Sequence, residues 1–159
     1  MMRSIPLGVV CTLLSLGSLA QLPSTDPLNA QFAGLVDFRA DKHDRLVLNI
    51  SDQGKRIRQD DMDPLDLDPS AIAFAPEEDG IVLKCRTDRS QCITKEIFKL
   101  DVVRVTSRVT IPRPPGDPDA TETVRMLKDW LAAAQAHGDQ ADNGTTRPSV
   151  RKNVPSHHE

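Results

Sequence analysis

Residues 81–98 read IVLKCRTDRSQCITKEIF. Two apolar, β-branched arms flank a polar turn at Thr87, Asp88, Arg89 and Ser90, the pattern of two antiparallel strands. Cys85 and Cys92 stand at matching places on the arms. If Arg86 and Gln91 close the loop, the cysteines form the next, non-hydrogen-bonded pair, where cross-strand side chains come nearest to disulfide geometry. Closing so short a loop stabilises a fold by roughly 2–3 kcal/mol in the chain-entropy treatment. The competing reading is two reduced thiols that pack as small hydrophobes. In the first arm Ile81, Leu83 and Cys85 share a face, with Lys84 and Arg86 opposite. The second arm alternates less cleanly: if Cys92 shares the face of Cys85, Thr94 and Glu96 turn inward and Ile93 and Ile97 outward. Either a bulge shifts the phase, or both faces of the sheet are partly covered.

Downstream, residues 100–111 carry the clearest alternation in the chain. Val103, Val105, Ser107, Val109 and Ile111 form one face, with Val102, Arg104, Thr106, Arg108 and Thr110 on the other. This predicts one long strand crossing the middle of the sheet. On its outer side Arg104 and Arg108, with Lys84 and Arg86 of the hairpin, form a candidate anion patch, weighed against an ordinary solvated face. Pro112 to Pro118 ends the strand. Asp117 as N-cap, Pro118 in the first turn, and Asp119 and Glu122 near the positive end of the dipole then predict a helix over 118–137, closed by Gly138. Ala120, Val124, Leu127, Leu131 and Ala134 recur at steps of four and three, flanked by Met126 and Trp130, a stripe suited to packing on a sheet.

Upstream, RLVLNIS (45–51) alternates Leu46, Leu48 and Ile50, a half-buried strand. Gly54 permits a turn, and Lys55 to Arg58 begin a second strand. Residues 60–69, DDMDPLDLDP, read as an acidic loop because proline removes backbone donors and excludes helix before it. Asp61, Asp63, Asp66 and Asp68 are candidate calcium ligands, since hard cations take oxygen donors; the spacing lacks the glycine and distal glutamate of an EF-hand loop. Residues 70–75 (SAIAFA) read as a strand. The weakly apolar piece at 32–38 is a short helix or a first strand, after a Pro-rich linker.

The chain has 159 residues, room for one domain. Met1 to Ala20 has a basic start at Arg3, an apolar run from Ile5 to Leu19 and small residues before Ala20, the pattern of a cleaved export signal that would also remove Cys11. Two cysteines then remain, and an even pair in an exported chain points to a disulfide and an oxidising periplasmic or extracellular compartment. With 20 basic and 23 acidic residues the formal net charge is −3. So mild an excess does not suggest nucleic acid or an anionic membrane as partner. There is no tyrosine, so the core must be aliphatic, and a domain of about 100 residues gains from a staple. Residues 139–159 are polar and without apolar period, predicting a disordered tail. Its His157-His158 pair is weak as a metal site. Asn49-Ile50-Ser51 and Asn143-Gly144-Thr145 match the glycosylation sequon.

Site chemistry is sparse. The chain has no Gly-x-Ser-x-Gly elbow, His-Glu-x-x-His helix or phosphate-cradling glycine loop. Cys85 and Cys92 lack the two-residue spacing of a redox pair. The expectation is a non-enzyme without cofactor.

Several antiparallel strands, a late strand of strong alternation and a terminal amphipathic helix resemble the pleckstrin-homology-like β-roll. The IVLKC run, the CI at 92–93 and the helix stripe also resemble small exported bacterial domains. The similarity covers roughly 45–137. It implies a scaffold that binds rather than catalyses. Lys55, Arg56 and Arg58 fall near the lipid-binding loop of such rolls, but the aspartate run follows at once, and that site is not carried over.

The expected organisation is an export signal (1–20), a linker or irregular segment (21–40), a β-rich domain (41–138) and a tail (139–159). The expected fold class is α+β: a bent antiparallel sheet or roll with one disulfide hairpin and one C-terminal helix. The expected function is an exported, non-catalytic binding module for a protein or small molecule. The alternatives are a calcium-dependent module built on 60–69 and an enzyme-inhibitor domain presenting the Thr87–Ser90 turn.

Overall fold

The computed structural model describes residues 22–142, with side chains to Gly138. The export segment expected at 1–20 and the residues from 143 onward, including the histidine pair and the second sequon, lie outside the described residues.

The class is α+β, with antiparallel strands in two sheets and two helices. Helix α1 (Asp26–Phe32) is followed by β1 (Val36–Ala40), so the fold reaches back into the stretch expected as linker, and 32–38 is the end of a helix and the start of a strand. Leu28 and Phe32, four apart and on one face of α1, are both buried, and the Phe32 ring lies 5.1 Å from that of Phe38 on β1. Strands β2 (Leu46–Asp52) and β3 (Lys55–Met62) pair through a tight turn in which Gln53 and Gly54 both have positive φ, 47° and 75°. A two-residue turn of that hand matches the twist of its strands and needs such residues.

β3 runs to Met62, so Asp60 and Asp61 are strand residues and not part of an acidic loop. Proline first interrupts pairing at Pro64, where a 3₁₀ turn (Pro64–Asp66) begins; a second (Pro69–Ala71) follows. The strand expected at 70–75 shrinks to β4 (Ala73–Ala75).

The Cys85–Cys92 disulfide forms, with Cα atoms 5.8 Å apart. Its two arms, β5 (Gly80–Lys84) and β6 (Ile93–Ile97), take different partners. The larger sheet has the order β1-β2-β3-β6-β7, and the smaller has β4-β5-β8. The bridge therefore ties two sheets together where one paired hairpin was expected. This removes the phase problem of the second arm. Cys92 precedes β6, and Ile93 points into the core, wholly buried, in register with Met62.

The alternating run at 100–111 is likewise two strands. β7 (Val102–Thr106) is the edge of the larger sheet and β8 (Arg108–Pro112) is an edge of the smaller, with Ser107 as the corner. Thr106 Oγ1 braces that corner, donating to the Arg108 carbonyl and accepting from the Arg108 N–H, while Ser107 O accepts from the Cys85 N–H at 2.8 Å. Where β5 meets β8 the backbones approach so closely that a Cβ on Gly80 would lie 2.4 Å from the Ile111 carbonyl oxygen.

The core lies between the inner faces of the sheets and under the helices: Leu46, Leu48, Ile50, Met62, Ile81, Leu83, Ile93, Val109, Ile111, Leu127 and Leu131 are all buried. Each such side chain contributes about 1.5–3 kcal/mol relative to exposure.

Helix α2 is Thr121–Asp142, three residues later at its start than expected and running into the segment expected as tail. Asp117 still serves its first turn from outside, accepting from the Thr123 N–H at 2.7 Å and the Thr123 hydroxyl at 2.8 Å. The intervening Ala120, with φ 56°, is what keeps the helix from starting at Pro118. Gly138 does not close the helix. A Cβ there would stand 2.5 Å from a methyl of Leu65, so its role is close approach to the 3₁₀ turn. α2 lies on the two 3₁₀ turns, β4 and α1. Gln135 donates to the carbonyls of Pro64 and Leu67, and the Trp130 indole N–H to the carbonyl of Pro23. Among the described residues no helix is long and apolar enough to cross a membrane.

Candidate functional site

The inner face of the larger sheet changes character along its width. Register aligns Phe38, Leu48, Asp60, Lys95 and Arg104 as one row across the five strands, and residues directly opposite in antiparallel strands share a face. Phe38 and Leu48 are buried among apolar neighbours, Asp60 is fully buried, Lys95 is half-buried and Arg104 is exposed. The smaller sheet and the helices cover the first half of the row. Beyond β3 the same face is charged.

Asp60 marks the boundary. One carboxylate oxygen pairs with Arg58 at 2.9 Å, and the other has no hydrogen-bond partner among the described residues. Burial pushes this carboxyl above its ordinary range, against the pull of Arg58 and Lys95. Arg58 continues across the gap between the sheets and donates to the Thr110 carbonyl of β8 at 2.8 Å. One guanidinium thus neutralises a buried acid and covers a strand edge.

Lys95 stands beside Asp60 on one strand and Arg104 on the other. Burial holds its ammonium below the usual lysine range, and the charges of Arg58, Arg104 and Arg108 add to that, with Asp60 opposing. Arg108 sits opposite Lys84 in the β5–β8 ladder and is bonded to Glu78, which also accepts from the Thr110 hydroxyl. The Thr110 hydroxyl and then Arg108 keep Glu78 below the ordinary glutamate range. Among the described residues, register, ion pairs and charge interactions thus link five cationic side chains, Arg58, Lys84, Lys95, Arg104 and Arg108, to two carboxylates, Asp60 and Glu78. Such an excess attracts an anion.

Three of the four residues of the expected anion patch belong to this cluster. Arg86 does not. It lies past the end of β5, pairs with Asp88 at 3.5 Å, and lines a shallow depression of about 360 Å³ with Asp68, Pro69 and Thr87. The sequence reading missed Arg58, Asp60 and Lys95. Its available signal was Ile93-x-Lys95-x-Ile97, a lysine two residues from each of two isoleucines and hence on their face. Forcing Cys92 onto the face of Cys85 had turned that arm over.

The candidate calcium ligands Asp61, Asp63, Asp66 and Asp68 are not gathered into one group. Asp61 lies on the outer face of β3 paired with Arg45. Asp63 accepts the Leu65 N–H and Asp68 the Ser70 N–H and hydroxyl, each as the N-cap of a 3₁₀ turn. Asp66 pairs with Arg89 at 3.4 Å. Burial, followed by the charge of Asp63, raises the Asp66 carboxyl, and the Ser70 hydroxyl lowers that of Asp68. Among the described residues no group of three or more His, Cys, Asp and Glu is placed to hold a metal ion. His43 is exposed on the β1–β2 turn. The Thr87–Ser90 turn is exposed, but Arg86 beside it pairs with Asp88 and Arg89 within it pairs with Asp66.

Comparison with protein-family models, with curated proteins and with solved structures finds no match.

Proposed function

We propose that this chain is an exported, non-catalytic binding module that holds an anionic ligand or partner surface on Lys95, Arg104 and Arg108. The observation that carries it is the position of Lys95, half-buried on the core face of a sheet with arginines near it. Burial and like charge both disfavour its ammonium and outweigh the attraction of Asp60, so a cation there is on balance unfavourable to the fold. A group kept against the interest of stability is a functional candidate. The two acids of the cluster support binding over catalysis, because Asp60 is shut in behind Arg58 and Glu78 is held by Arg108 and the Thr110 hydroxyl, which lower its basicity. Export rests on the pattern of Met1 to Ala20 and on the disulfide. The resemblance to pleckstrin-homology-like rolls adds the binding habit of such scaffolds.

The test is titration calorimetry of the full chain with polyglutamate at low salt. Lys95→Gln is expected to weaken binding at least tenfold without lowering the melting temperature, and added salt to weaken the wild type further. Equal binding by Lys95→Gln and wild type would sink the proposal.

A further inference from the structure

We infer that the anionic partner is an extended acidic peptide that adds as a sixth strand to the open flank of β7; this rests on the anion-binding reading above and names its partner class. Three observations converge on that flank. First, among the described residues β7 pairs with β6 on one side and with no strand on the other. The opposite edge strand, β1, is covered, because the Asn29 side chain takes both the N–H and the carbonyl of Phe38. Arg58 likewise occupies the Thr110 carbonyl of β8. Second, β7 exposes Val103 and Val105, at 44% and 39%, on its outer face. Third, its inner face presents Arg104, with Lys95 one strand further in.

An unpaired strand edge is a template for another chain, and strand addition takes affinity from main-chain hydrogen bonds and selectivity from alternate side chains. A strand laid beside β7 puts every second residue next to Arg104 and the remainder against Val103 and Val105, since cross-strand neighbours lie about 4.5–5.5 Å apart. The matching sequence therefore alternates carboxylate and aliphatic residues over about the five positions of β7. A second copy of this chain fits poorly. Antiparallel pairing of two β7 strands centred on Arg104 sets that arginine against itself, and like charges directly opposite are destabilising.

The experiment uses the full chain and an eight-residue peptide alternating glutamate and valine. Controls are a block-ordered peptide of the same composition and polyglutamate. Two further peptides carry N-methyl groups on alternate amides, one set on odd positions and the other on even. In a paired strand only one set of amides faces β7, so one methylated peptide is expected to lose binding at least tenfold while the other keeps it. The block peptide and Arg104→Glu are each expected to weaken binding at least tenfold. If both methylated peptides and the block peptide bind like the parent while Lys95→Gln still weakens all of them, strand addition is overturned and the anion-binding surface stands. If neither the peptides nor polyglutamate bind, both readings fall.

Discussion

The two edges of the larger sheet are built in opposite ways. At β1 the flank is closed: Asn29 mimics a neighbouring strand by bonding Phe38 N–H at 2.6 Å and its carbonyl at 2.9 Å, and the Thr25 hydroxyl adds a second donor to that carbonyl at 2.8 Å. The row behind it is aromatic and aliphatic. At β7 no further strand pairs with the flank among the described residues, the row behind it is lysine and arginine, and two valines are exposed. The β1 half is organised for stability, as dry packing with satisfied edges demands. The β7 half spends some of that stability on a buried acid and a depressed lysine. Binding surfaces are commonly drawn from the less stable parts of a fold.

A scan along the single row would break this comparison most directly. Phe38→Ala is expected to destabilise by about 3–5 kcal/mol, whereas Arg104→Ala should stay within about 0.5 kcal/mol of wild type. Urea unfolding reads both, and similar losses at the two ends would remove the distinction. At the boundary, Arg58→Met leaves Asp60 buried and unpaired, at a cost of about 3 kcal/mol, the lower end for such a pair, because Arg58 keeps 20% of its side-chain surface in water. Adding Asp60→Leu should recover most of that loss. A double variant no better than the single would mean that Arg58 acts through the Thr110 carbonyl instead.

Asn29→Ala sharpens the contrast at the closed edge. It strips the part-buried Phe38 N–H of its partner and leaves the carbonyl the Thr25 hydroxyl alone, and about 2 kcal/mol is expected. Hydrogen exchange should show β1 opening with the frequency of β7.

The smallest effect is a slope with pH. The folded chain binds the Asp60 proton more tightly than the unfolded chain, whose carboxyl titrates near the ordinary 3.8. This contribution is therefore full below that pH and declines as pH rises towards the folded value. Melting temperatures taken upward from pH 3.5 should fall less in Asp60→Asn than in wild type over that window. Parallel curves would show that Asp60 is ionised without penalty.

Much of the fold was readable from pattern, because apolar alternation at 46–50 and the stripe from Leu127 to Ala134 each report one buried face. Sheet membership was not. Alternation encodes which residues share a side, but not which layer that side faces. Val103 and Val105 look outward from the larger sheet, while Val109 and Ile111, in the same phase, look inward from the smaller. The disulfide was legible from spacing alone, although spacing could not say that its arms join different partners. The acidic run misled because Asp60 and Asp61 precede the first proline of 60–69, and strand pairing on both sides outweighs their poor β propensity. Of the charged cluster, Lys84, Arg104 and Arg108 were visible on alternating faces. Arg58, Asp60 and Lys95 meet them only because β3 and β6, distant in sequence, are neighbours.

The corner at Ser107 has a consequence for how this chain can vary among descendants. One residue separates two strands that share one alternation but bury opposite sets of it, so inserting or deleting a single position there would turn β8 over, burying Arg108 and Thr110 and expelling Val109 and Ile111. Length changes are thus barred from Ser107. The exposed turn at Pro115 and Gly116, between β8 and α2 and in neither sheet, is a place where the chain can lengthen.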